Sequence, residues 1–211
     1  MTALHCCLVL GVLSSVQGQD LSRPLQITDN NTTLPDTMQY IQDDLNALGK
    51  VEYQQVPGAS AKATVAMYQS SNEVLAPVAD ATRCTLSWVN SNTGKTLSGS
   101  TVSTRIGRVA HEASFRDVDH FEVSALRAQE GYYISPAIFV IKGIMLPGKK
   151  VYAHFHFIDS CTAGVSCKDG LTITDNESDV PSLIFFFRDE TSANLVAKAM
   201  AHAAKLCRPP R

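Results

Sequence analysis

Cys84-Thr85-Leu86-Ser87-Trp88-Val89 is the stretch that decides the architecture. Cys84, Leu86 and Trp88 fall on one side of an extended backbone and Thr85 and Ser87 on the other. That alternation is typical of an antiparallel strand packed on one face and wet on the other. The same period of two recurs outward from it, over residues 51–56, 63–68, 101–106, 115–118, 121–126, 138–141, 151–158, 171–174 and 183–187. Pro57-Gly58, Asn92-Thr93-Gly94, Gln129-Glu130-Gly131 and Pro147-Gly148 carry turn chemistry between them. Many strands joined by short turns predict a meander that curls into a sandwich or barrel rather than βαβ units.

Two helices flank the strands. Thr33 can cap, Pro35 suits a first turn and Asp36 faces the positive end of the helix dipole. Met38, Ile41, Leu45 and Leu48 then recur at three- and four-residue steps, so a helix is expected over 35–48, with Gly49 as a left-handed stop. At the other end Asp189 caps and Glu190 follows. Leu195, Val196, Ala199, Met200, Ala203 and Leu206 build one apolar face, expected to cap a barrel mouth. The fold class expected is therefore α+β, a curled antiparallel sandwich or barrel with an N-terminal and a C-terminal helix.

The composition limits function. Of 211 residues 45% are hydrophobic and 18% charged, with a net charge of −2, which excludes a disordered chain. Acidic residues outnumber scattered basic ones, so nucleic acid is not an expected partner. No apolar run of about 20 residues occurs, so no transmembrane segment is expected. Residues 1–18 contain no charge and place Val16 and Gly18 where signal peptidase wants small side chains. They read as a signal peptide cleaved between Gly18 and Gln19, and the chain as secreted or periplasmic. Residues 19–33 read as a polar linker, 34–207 as a single domain and 208–211 as a tail.

Export leaves Cys84, Cys161, Cys167 and Cys207, an even number in an oxidising compartment. Cys161 and Cys167 flank a short flexible loop and are expected to pair, which leaves Cys84 to pair with Cys207. A redox or metal-binding thiol pair needs C-x-x-C or ligand-like spacing, which is absent.

Three segments together resemble a family of uncharacterised exported bacterial proteins. Leu34-Pro35-Asp36-Thr37-Met38-Gln39-Tyr40-Ile41, running on to Leu48-Gly49-Lys50-Val51, resembles their opening helix. Cys84-Thr85-Leu86-Ser87-Trp88 resembles their C-x-L-x-[WF] strand. Phe185-Phe186-Phe187-Arg188-Asp189, leading through Val196-Ala197 and His202-Ala203 to Leu206-Cys207, resembles their closing helix. With Phe115-Arg116-Asp117-Val118-Asp119, the match covers most of 34–207; the chain departs from it in ending Arg208-Pro209-Pro210-Arg211. The resemblance implies a pleckstrin-homology-like domain of curled strands plugged by a C-terminal helix, and implies no activity.

His154-Phe155-His156 is the best metal-like feature, because on a strand both imidazoles share a face about 7 Å apart and can share a zinc. A third ligand has to come from His111, Glu112, Asp119, His120 or Asp159. The plainer reading, a polar strand face with Phe155 and Phe157 packed inward, is preferred. Asp175-Asn176-Glu177-Ser178-Asp179 lacks the glycine and late glutamate of a calcium loop and reads as a solvated hairpin loop. Asn92-Thr93-Gly94-Lys95-Thr96 lacks the first glycine of a phosphate-binding loop and reads as a turn. The sequons at Asn30, Asn31 and Asn176 read as polar turns. No hydrolase motif is present. The function expected is a non-enzymatic binding or scaffold domain with a protein, peptide or small apolar ligand as partner. An envelope assembly factor is a variant of it. The alternative is a metal-dependent enzyme or metal carrier built on His154 and His156, with zinc as the metal.

Overall fold

A computed structural model describes residues 32–58, 67–98, 101–128, 130–162 and 172–208. The signal cleavage site, most of the linker, the end of the tail, the sequons at Asn30 and Asn31, and the Cys161–Cys167 pairing fall outside them. The chain runs α1 (Leu34–Leu48), β1 (Lys50–Pro57), β2 (Met67–Asp80), β3 (Thr85–Ser98), β4 (Thr101–Ser114), a 3-10 turn (Phe115–Asp117) and β5 (Val118–Ala125). It continues β6 (Tyr132–Ser135), β7 (Phe139–Met145), β8 (Val151–Thr162), β9 (Thr172–Val180), β10 (Ser182–Phe187) and α2 (Glu190–Cys207). The class is α+β. All pairings are antiparallel and fall into two sheets, β6-β1-β2-β3-β4-β8-β9 and β10-β7-β5.

Among the described residues neither sheet closes, so the barrel alternative does not hold. α2 accordingly plugs no mouth. It lies along α1, β5, β7, β10 and the 3-10 turn, and its alanines Ala193, Ala199 and Ala203 are fully buried, which permits that close approach. Asp189 caps it by accepting from the Ser192 N–H at 2.7 Å, and Thr33 caps α1. One core joins both sheets and both helices: Met38, Ile41 and Leu45 from α1, Leu86 and Trp88 from β3, Phe185 and Phe187 from β10, and Val196 and Met200 from α2. Cys207 at the end of α2 is bonded to Cys84, with Cα atoms 5.8 Å apart.

Several local expectations change. Gly49 is not left-handed (φ −73°, ψ 13°). It is needed for space, since a Cβ there would run into the Leu45 carbonyl oxygen and lie 2.8 Å from the Val74 Cβ. Residues 115–118 form the 3-10 turn and the start of β5 instead of a separate strand, because the Ser114 hydroxyl accepts from the Arg116 N–H and starts a turn. Asn92-Thr93-Gly94 is no turn: β3 runs through it, paired to β2 and β4. Asp175–Asp179 is no loop but most of β9. β2 bulges between Leu75 and Val78, where Ala76 takes φ 45° and Pro77 follows, a place that tolerates a missing donor.

Candidate functional site

Strand register sorts the large sheet into two faces. On the inner face successive cross-strand rows read Leu86–Ala113, then Trp88–His111–Ala153, then Asn90–Val109–Phe155, then Asn92–Gly107–Phe157, then Gly94–Arg105–Asp159. The first rows are core. The later ones turn polar and aromatic and are half-buried or exposed, apart from the buried Val109, Gly107 and Gly94. There the Arg105 guanidinium donates to both Asp159 oxygens (2.6 and 2.9 Å), holding that carboxyl below its usual range, and lies 5.1 Å from the Phe157 ring centre.

On the outer face β8 presents Tyr152, His154 and His156, and β9 presents Asp179, Glu177 and Asp175 directly opposite them in that order. The Asp175 carboxylate accepts from His154 Nε2 at 2.5 Å and from His156 Nδ1 at 3.5 Å. These contacts, that to His154 foremost, pull Asp175 below the ordinary carboxylate range. The Tyr152 phenol bonds Glu177, which raises its pKa, and Lys150 pairs with Asp179 at 3.7 Å. The result is a row of side-chain clasps holding β9 to β8.

The third-ligand candidates lie elsewhere. His111 is on the inner face, stacked on Trp88 with ring centres 4.7 Å apart, and burial lowers its pKa to about 4. Asp159 is also on the inner face, held by Arg105. Asp119 and His120 belong to β5 of the other sheet, where His120 bonds Asp119 and Glu122. Glu112 shares the outer face but is paired with Arg83 at 3.1 Å. Asp175, the residue that meets both imidazoles, was hidden by the loop-like run around it; only the β8–β9 register exposes it. Among the described residues no group of three or more His, Cys, Asp or Glu is arranged to hold a metal ion. Phe155 and Phe157 do point away from the histidines, with ring centres 5.9 Å apart, but stay half-buried.

Where β6 leaves the sheet, a concavity of about 430 Å³ opens against β1–β3. Glu52, Gln54, Gln69, Ser71 and Lys95 line it beside the Ser135–Pro136 end of β6. The lining mixes these polar groups with Tyr53 and Pro136.

The sequence marks the start of β9 at 171–174 but not its continuation through Val180. Thr172 to Asp179 are all exposed, and beyond β9 the sheet has no further strand among the described residues. Its outer backbone edge therefore offers a row of N–H and C=O groups ready to pair. No helix of the described residues is long and apolar enough to cross a membrane. Comparison with protein-family models, with curated proteins and with solved structures found no match.

Proposed function

We propose that this chain is an exported, non-enzymatic binding domain of pleckstrin-homology-like architecture that takes an extended segment of a partner protein onto the free edge of β9. The observation that carries the reading is a nine-residue edge strand, exposed on both faces over residues 172–179, with no further strand beyond it among the described residues. Strand addition needs that feature, because main-chain bonds supply the affinity and alternate side chains the selectivity. The other edges offer less, β10 having six residues. β6 has only four residues. At β5 the Arg208 side chain bonds the carbonyls of Val118 and Asp119. The Cys84–Cys207 bond and the uncharged, apolar start of the chain support export.

The test is a photo-crosslinking amino acid placed at Asn176 on β9 and, separately, at Leu206 on α2, in cells that make the protein. A partner captured from Asn176 and absent from Leu206 supports the reading. Equal capture from both positions, or none from Asn176, overturns it. The mass of the exported chain tests cleavage after Gly18 in the same preparation.

A further inference from the structure

We infer that the segment β9 receives is basic, with lysine or arginine at alternate positions facing the outer side of the sheet. The inference rests on the strand-addition reading and names its partner chemistry. β9 reads Thr172-Ile173-Thr174-Asp175-Asn176-Glu177-Ser178-Asp179-Val180. It holds three carboxylates and no basic residue, and the period of two puts all three on one face. The other face carries Thr172, Thr174, Asn176 and Ser178, small and uncharged. Of the three carboxylates only Asp179 is paired with a lysine or arginine among the described residues, through Lys150. Asp175 is held by imidazoles and Glu177 by a phenol. Arg108 lies one strand further in, opposite His156.

An incoming strand sets its own residues directly across from these, where opposite charges attract and like charges repel. Two copies of β9 laid edge to edge would oppose carboxylate to carboxylate on that face. The charge pattern thus blocks self-pairing, the usual hazard of a long edge, while leaving the edge open to a strand of opposite sign. The occupant that fits is an extended segment with cations at i, i+2 and i+4 and small or polar residues between them.

The purified full chain is mixed with nine-residue peptides in which threonine alternates with lysine, glutamine or glutamate. Binding is read by fluorescence anisotropy, and its location by amide hydrogen exchange on β9. The lysine peptide is expected to protect β9 and to bind at least tenfold more tightly than the glutamine peptide at low salt, the margin shrinking as salt rises. A chain carrying Asp175→Lys, Glu177→Lys and Asp179→Lys together is expected to reverse the preference toward the glutamate peptide, which also shows that β9 is still in place. The single Glu177→Lys chain reads the same change at smaller amplitude if the triple variant unfolds. Equal binding of lysine and glutamine peptides with β9 protected overturns the basic partner but leaves strand addition standing. No protection of β9 by any peptide overturns both. Full protection of the outward amides before peptide is added, in a monomer or in a dimer, means that the edge is already occupied and also overturns the inference.

Discussion

Replacing Gly49 by alanine sets two physical rules against each other. At φ −73° the backbone already suits an L-residue, and alanine there would ordinarily stabilise by about 0.4–1 kcal/mol through the unfolded chain. The surroundings oppose this. The new Cβ would meet the Leu45 carbonyl oxygen and lie 2.8 and 2.9 Å from Cβ and Cγ2 of Val74. Neither neighbour can give way cheaply. The Leu45 carbonyl accepts the Gly49 N–H at 3.0 Å, the Gly49 carbonyl accepts the Val74 N–H at 2.9 Å, and Leu45 and Val74 are both buried. Forcing a methyl into a packed site costs about 1–3 kcal/mol, so the net expectation is a loss of about 1–2 kcal/mol. For a domain of this size that is a fall in Tm of roughly 2–8 °C. Urea and thermal unfolding of Gly49→Ala, Val74→Ala and the double variant check it. The double variant removes Cγ2 and is expected to recover part of the loss, as a coupling of about 0.5 kcal/mol or more. A Gly49→Ala chain as stable as the parent would refute the packing argument and restore glycine to the role of a mere helix stop.

Four further outcomes follow from other sites. Replacing Cys84 and Cys207 with alanine, or reducing their bond, opens a cross-link 123 residues long in sequence, an expected loss of about 5 kcal/mol in denaturant titration. Because His111 is pushed down to about 4, the folded chain resists a proton that the unfolded chain accepts near 6.5. Its contribution is complete above that pH and is lost as pH falls from 6.5 toward 4, an effect of at most about 2–3 kcal/mol that a His111→Phe chain should not show in pH-dependent unfolding. Asp189→Ala removes the cap of α2 and is expected to cost about 1 kcal/mol in the same assay. Zinc in about tenfold excess is expected to leave Tm unchanged; a rise abolished by His154→Ala and His156→Ala would revive the metal reading.

Both helices and the strand character of the chain were legible because their signals are local. Thr33 and Asp189 cap as their side chains dictate, and Cys84-Thr85-Leu86-Ser87-Trp88 alternates as the core requires. The errors share one cause, which is that glycine and polar residues carry different meanings in a turn and in a wide sheet. Gly94 sits mid-strand under the Tyr68 phenol, whose hydroxyl oxygen is 2.9 Å and whose ring carbons are 3.4 Å from where a Cβ would stand. Asp175–Asp179 forms a strand although no residue there is apolar, because an edge exposed on both faces has no core to satisfy. For the same reason Asp175 went unseen: it meets His154 and His156 only through a pairing 19 to 21 residues away.

The unequal size of the two sheets explains why the inner face changes character partway along. β2, β3 and β4 have 14 residues each, about 46 Å of strand, whereas β5, β7 and β10 have six to eight, about 20–26 Å. The short sheet meets the long one near Trp88, whose ring lies 4.8 Å from Phe185, and it runs out before the rows of Gly107 and Gly94. Beyond that point the long sheet has no second layer among the described elements to bury an aliphatic face. The sequence there supplies rings laid over glycines, Phe157 on Gly107 and Tyr68 on Gly94, which cover the backbone from within the sheet itself. The Arg105–Asp159 fork lies beside them, and Tyr53 bonds Ser70 and Asn72. A sheet stiffened in this way needs no helix over its far half. The polar, ring-covered inner face is thus a consequence of strands that are longer in the first layer than in the second, while the edge at β9 belongs to the other dimension, seven strands across in one sheet against three in the other.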